Sequence, residues 1–326
     1  MPRSELPPDL ASLVSAVLAT VEDVSLTTGP APEEQTKGDG SLVTKMDMAL
    51  QRSLTRNLQE GWPGIPVLGE ESRPEEARAI LEGLGALPGR SADSGFTDRS
   101  VDSGFTDRTS GSGFTGQPAG SASTGASFWC LDPLDGTSNF VAGFPVYAAS
   151  VALVDEDGPR LGVVHDLARD ETFAAVRGGG AWLGDRRLKS GEGAPNELAE
   201  AMALVDLKRL PGELAARVAT EHPFRSQRNI GSSALEWCWV AAGRCHLYLH
   251  GSQKPWDYAA GMLILAEAGG SFALDPKPSG SIGFDLEARS VTAASSEALL
   301  EAWRGWIAKP GEGPPGHSTA TGVASP

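Results

Sequence analysis

Apolar residues recur at helical spacing through Leu10, Leu13, Val14, Val17, Leu18 and Val21, and Thr28-Gly29-Pro30 then stops the pattern. An amphipathic helix packed on the core is predicted there. A second helical pattern covers Met46 to Leu58, after Ser41-Leu42-Val43-Thr44. Ile65-Pro66-Val67-Leu68 reads as a short strand delivering Gly69-Glu70-Glu71-Ser72 at its end, where carboxylates are well placed for a cleft. A charged helical piece, Glu75 to Leu84, follows.

Further along, Tyr147 to Val154, Arg160 to Val164 and Glu171 to Val176 predict successive strands separated by Gly158-Pro159 and Arg169-Asp170. Such a meander implies antiparallel pairing. Met202 to Val205 reads as a strand, Gly212 to Ala219 as a helix, Ala234 to Ala242 as a helix and Cys245 to Leu249 as a strand. Trp256 to Ala268 is a long helical pattern closed by Gly269-Gly270. Ser271 to Ala273 and Val291 to Ala294 suggest late strands, and Ala298 to Ile307 a last helix.

Two stretches break this alternation. Between residues 91 and 127 the near-repeats Asp93-Ser94-Gly95-Phe96-Thr97-Asp98-Arg99 and Asp102-Ser103-Gly104-Phe105-Thr106-Asp107-Arg108 precede a worn copy at Ser112-Gly113-Phe114-Thr115. Gly, Ser and Thr supply 21 of those 37 residues, too little apolar area to offset the entropy of ordering, so a disordered insertion is expected. The Gly/Pro/Ser-rich tail at 310–326 is expected to be unstructured as well.

A formal charge of −15 over 326 residues, with no Lys/Arg-rich block, argues against nucleic acid and anionic lipid as partners. Small phosphorylated metabolites stay open, because bound cations reverse the field of an acidic pocket. Cys130, Cys238 and Cys245 show no CxxC spacing, which suggests neither a disulfide framework nor a zinc site and favours a reducing cytoplasm. No apolar h-region opens the chain, and no membrane association is expected.

The densest chemistry lies in Asp132-Pro133-Leu134-Asp135-Gly136-Thr137, two carboxylates, a carbonyl and a hydroxyl within six residues. Hard cations such as Mg²⁺ take oxygen donors of this kind. A helix opening at Gly136-Thr137-Ser138 would turn free amides toward the same point and could receive a phosphate. Glu70-Glu71 and Asp257 are further acidic segments; each alone has a bland explanation as a solvated turn or helix cap.

In order, Gly69-Glu70-Glu71-Ser72, the run from Trp129 to Phe140, and Trp256-Asp257-Tyr258-Ala259-Ala260-Gly261 resemble the signatures of the inositol monophosphatase family. Leu42-Val43-Thr44 with Asp47, and Glu267-Ala268-Gly269-Gly270, extend the resemblance over roughly residues 10 to 308. It implies an α/β fold, layered αβαβα with mixed, largely antiparallel sheets between helix layers. One domain over 9–308 is expected, its N-terminal half running to about 190 and its C-terminal half from about 195. A homodimer and a lithium-sensitive, Mg²⁺-dependent phosphomonoesterase are implied too, with about two or three ions bound.

By the same resemblance, Glu70, Asp132, Asp135 and Asp257 match side-chain metal ligands, and Leu134 a carbonyl ligand. Thr137 matches the hydroxyl that orients the attacking water with Glu70, and Asp47 an acid linked to that threonine. Gly136 and Ser138 match phosphate-holding amides; Asp135, Thr137 and Asp257 also border the substrate. Gly231-Ser232-Ser233-Ala234 resembles the segment beside the sugar ring. Inositol-selective members carry a glutamate where this chain reads His250-Gly251-Ser252-Gln253-Lys254. His250 is accordingly read as a contact to a second phosphate or another polyol, against the alternative of an ordinary surface histidine. The leading activity is hydrolysis of an inositol or related sugar monophosphate. A 3′(2′),5′-bisphosphate nucleotidase and a non-catalytic metal-dependent binding protein are the alternatives.

Overall fold

The central strands are buried on both faces, and alternate side chains go to opposite faces, which sorts the core into three apolar clusters that define the layers. The computed structural model describes residues 6–28, 34–36, 42–83, 127–276 and 285–309. Residues 91–126 of the expected insertion and the expected tail at 310–326 lie outside the described residues.

The chain opens with α1 (Pro8–Thr28), a short hairpin of β1 (Glu34–Thr36) and β2 (Leu42–Thr44), and α2 (Lys45–Gly61). By length and composition α1 is apolar enough to cross a membrane, with a mean hydropathy of 1.5 over Asp9–Thr27. Its stripe Leu10, Leu13, Val17 and Val24 is nevertheless spent inside the protein, against Leu50, Leu54 and Leu58 of α2 and the sheet beneath them. Thr44 caps α2 in a capping box, its hydroxyl reached by the Met46 and Asp47 amides while the Asp47 carboxylate accepts from the Thr44 amide.

That sheet has seven strands in sequence order: β3 (Val67–Gly69), β4 (Phe128–Asp135), β5 (Ala148–Asp155), β6 (Gly158–Asp166), β7 (Glu171–Val176), β8 (Gly180–Leu183) and β9 (Arg186–Arg187). Before β4 comes α3 (Pro74–Gly83), and after it α4 (Thr137–Ala142). The antiparallel meander expected over β5 to β7 is present, whereas β3 runs parallel to β4. The Asp-Pro-Leu-Asp motif is the end of β4, with the pairing to β5 shifted between Asp132 and Asp135. A bulge there breaks the two-residue alternation, so both aspartates serve the same cleft.

The second sheet comprises β10 (Met202–Asp206), β11 (Ser226–Arg228), β12 (Leu247–Gln253), β13 (Ser271–Asp275) and β14 (Arg289–Ala294), in the order β11-β10-β12-β14-β13. Its first three strands are parallel. Four helices accompany it: α5 (Gly212–Glu221), α6 (Ser233–Ala241), α7 (Pro255–Glu267) and α8 (Glu297–Ala308). Val218, Leu299 and Trp303 of α5 and α8 cover Ala203, Val205, Leu247 and Leu249 on one face. Leu204, Tyr248 and Ala293 point to the other, where α6 and α7 fill the space up to Phe128, Cys130, Ala148 and Val164 of the first sheet.

The layers therefore run helix, sheet, helix, sheet, helix, as an αβαβα stack. Because α6 and α7 are enclosed from both sides they are apolar nearly all round, as a buried helix must be. Gly261 lets them touch: a Cβ there would lie 2.5 Å from that of Trp237. On the outer face, truncating the fully buried Trp303 to Ala is worth about 3–5 kcal/mol.

Candidate active site

Five acids meet where β4 ends against α2, α6 and α7. Asp132 is 1% exposed and its carboxyl is held well above the carboxylate range, first by burial and then by the charges of Glu70, Asp135, Asp257 and Asp47. Asp257, in the first turn of α7, is raised by burial and by Asp135 and Glu70. Asp135 is pushed up to about 6, burial outweighing the hydrogen bonds that favour its charged form.

Each acid has a reason for its position. Glu70 follows β3, its amide donating to the Leu131 carbonyl at 2.9 Å, so the parallel β3/β4 pair sets it beside Asp132. Asp257 accepts the Lys254 amide at 2.7 Å, fixing the start of α7. Asp132 accepts the Leu134 amide at 3.1 Å. The Thr137 hydroxyl lies 3.0 Å from both Asp47 and the Leu134 carbonyl.

Asp135 faces α6. It accepts from the Ser232 hydroxyl at 2.5 Å, the Ala234 amide at 2.7 Å and the Ser233 amide at 3.2 Å. A carboxylate on a helix N-terminus satisfies amides that have no intrahelical partner and complements the dipole. Among the described residues no three His, Cys, Asp or Glu side chains are gathered into a closed metal cage. Glu70, Asp132, Asp135 and Asp257 instead lie within electrostatic reach of one another.

The helix opening expected at Gly136-Thr137-Ser138 is present as α4, yet its cap is Gly136 itself, at φ +90°, with no side-chain cap bond. A Cβ at Gly136 would stand 2.8 Å from the Val146 carbonyl oxygen. Backbone and not hydroxyl chemistry therefore shapes this turn, leaving Ser138 exposed beside it.

His250 is a correction to the surface alternative. It is 7% exposed at the carboxyl end of β12, paired in register with Asp206 at the end of parallel β10, and its Nε2 lies 3.6 Å from the Asp206 carboxylate. Burial is the main force lowering its pKa to about 4, and the Ser252 amide donates to Nδ1 at 3.2 Å. The ring is neutral, with its hydrogen on Nε2.

Sequence reasoning missed Asn139, Asp206, Glu236 and Tyr248. Asn139 donates to the Val146 and Ile230 carbonyls at 2.8 and 2.7 Å, tying α4 to the turn before α6. Glu236 had a visible signal, a lone acid in the apolar run from Ala234 to Ala242. Asp206 had none, since only strand pairing brings it to His250.

This layered α/β stack, with buried acids turned toward one crevice by its inner helices and bulged strand, is a fold it shares with known phosphatases. The chain belongs to the inositol monophosphatase family, whose model matches residues 10–309. Inositol monophosphatase 1 of Solanum lycopersicum is 38% identical over 184 residues, 53% of this chain and 65% of its own length. Nus factor SuhB of Pasteurella multocida is 30% identical over 237 residues, covering 72% of each chain. Among solved structures, an IMPase/NADP phosphatase complexed with Mg2+ and phosphate superposes with a TM-score of 0.66 at 19% identity, over 90% of this chain and 94% of its own. The match thus spans about two thirds of the length of the first of these relatives.

Proposed function

We propose that this chain is a Mg²⁺-dependent phosphomonoesterase acting on an inositol or related sugar monophosphate. One observation carries the reading: four acids surround Asp132 and drive its carboxyl up, while the Thr137 hydroxyl is tied to one of them, Asp47. The side chains that crowd Asp132 are carboxylates, and buried carboxylates that repel one another fit a hard divalent cation. Glu70, Asp132, Asp135, Asp257 and the Leu134 carbonyl would hold it. When bound, Mg²⁺ supplies a Lewis acid for phosphoryl oxygens and a lowered pKa for attacking water, with about two or three ions in the family scheme.

The protein's own groups do the rest. Thr137 shares its hydroxyl proton between Asp47 and Leu134, so its oxygen is left to accept a hydrogen from the attacking water. Glu70 takes the other proton of that water as general base. Gly136 and Ser138 offer backbone amides to the phosphate, as helix starts do. The turn Gly231-Ser232-Ser233 borders the leaving group, and His250, whose Nε2 lies 3.6 Å from the Asp206 carboxylate, is a further contact for a substrate oxygen.

A phosphate-release panel in Mg²⁺ tests the reading, with an inositol monophosphate, sugar monophosphates, adenosine 3′,5′-bisphosphate and a fructose bisphosphate. Highest kcat/KM on a polyol monophosphate is expected. Preference for the nucleotide, or no Mg²⁺-dependent release from any of them, overturns it.

A further inference from the structure

Resting on that reading of the leaving-group side, the geometry points to Glu236 as a positioning residue that fixes the turn Ile230–Ala234 and so sets specificity for hydroxyl-bearing substrates. The turn is held at both its ends. Asn139 takes the Ile230 carbonyl at 2.7 Å, Glu236 takes the Ile230 amide at 3.2 Å, and Asn229 takes the Gly231 amide at 3.1 Å. Asp135 then takes the Ser232 hydroxyl and the next two amides. Gly231 stands at φ +72°, which a side chain adopts only under strain, so the turn has one shape and relies on its outside partners to keep it.

Behind Glu236 lies a buried relay. Its carboxyl and the Ser233 side chain both hydrogen-bond the Tyr248 hydroxyl, which also receives the Gln253 amide. Gln253 in turn accepts from the Trp237 indole at 3.1 Å. Glu236 is 2% exposed, and Gln253 and Tyr248 are fully enclosed, so none of these groups reaches substrate or solvent. What they hold does: Gly231 and Ser233 form the open edge of the turn, with the buried Ser232 hydroxyl turned inward onto Asp135. Burial pushes the Glu236 carboxyl up to about 8, which keeps it a neutral acid able to donate as well as accept. A glutamine reproduces that pattern; a leucine fills the volume and removes it.

Asp135 holds the Ser232–Ala234 end of the turn, whereas Glu236 holds the Ile230 end. Loosening the turn therefore separates substrates by their leaving group. In full-length protein with Mg²⁺, Glu236→Leu is expected to raise KM for the polyol monophosphate about tenfold, with p-nitrophenyl phosphate, whose leaving group carries no such hydroxyls, cleaved within about twofold of wild type. Glu236→Gln restores the polyol KM, and Tyr248→Phe moves it in the same direction as leucine. Calorimetric titration with Mg²⁺ alone gives the same affinity in all variants.

Equal losses on both substrates, a weakened Mg²⁺ affinity, or no loss on either overturns the proposal. If Glu236→Leu does not fold, Tyr248→Phe decides by the same comparison. Wild-type protein that cleaves the aryl phosphate and no polyol phosphate refutes the substrate reading itself, and this is seen before any variant is made.

Discussion

The Thr137 hydroxyl and the Asp47 carboxylate stand 3.0 Å apart although 90 positions separate them in the chain. Asp47 is fixed from its own side, since its second oxygen accepts the Thr44 hydroxyl at 2.5 Å and the Thr44 amide at 2.7 Å. A helix cap is thereby converted into an orienting group for the opposite side of the cleft. This gives Asp47 a duty in the fold and one in the reaction, which mutation separates.

Thr137→Ala removes the hydroxyl from both its partners while leaving the cap of α2 intact. Turnover with Mg²⁺ is expected to fall about 10²–10⁴-fold with KM changed little, measured as phosphate release. A kcat near the wild-type value excludes Thr137 from orienting the water.

Asp132→Asn removes a buried charge from a crowd of like charges. In EDTA its melting temperature is expected to exceed that of wild type at pH 8, while turnover with Mg²⁺ is abolished. The signs follow from linkage: a carboxyl whose pKa is raised by folding supports the fold below its unfolded pKa and loses that support as pH rises. A variant less stable than wild type in EDTA at pH 8 contradicts the account.

Mg²⁺ itself reports on the same acids. Protons and cations compete for Asp132, Asp135 and Asp257, and Asp135 titrates near 6, so the rise in melting temperature on adding Mg²⁺ is expected to be larger at pH 8 than at pH 5.5. Equal shifts at both values count against these residues as ligands.

Glu236 provides a second pH test, free of metal. From its ordinary value of 4.5 to about 8 the unfolded chain ionises it and the folded chain does not, a loss of about 1.4 kcal/mol per pH unit in that window. Glu236→Gln has no such loss. Its melting temperature should gain on wild type steadily from pH 5 to pH 8, and parallel curves rule out a protonated acid in the fold.

Gly136→Ala forces a side chain into a left-handed position and against the Val146 carbonyl. A loss of about 1–3 kcal/mol in stability is expected by denaturant unfolding, with turnover reduced more than stability alone accounts for.

Most of the layering was legible in the chain, because helix stripes such as Leu10 to Val21 and strand runs such as Tyr147 to Val154 report their own burial. Short edge pieces were not. β9 and β11 lack an apolar run of their own and exist through pairing with a neighbour. Parallel pairing of β10 with β12 was equally silent, since period-2 patterns carry no direction. At the site, the acids announced themselves as local motifs, but Asp206 facing His250, and Glu236 holding Ile230, are products of tertiary approach between segments with no shared spacing.

Asn139 bridges the Val146 and Ile230 carbonyls, two backbone oxygens that belong to the opposite walls of the crevice. Rigid parting of those walls would strand its amide hydrogens, so ligands are expected to enter and leave through rearrangement at the open rim, with the floor staying shut.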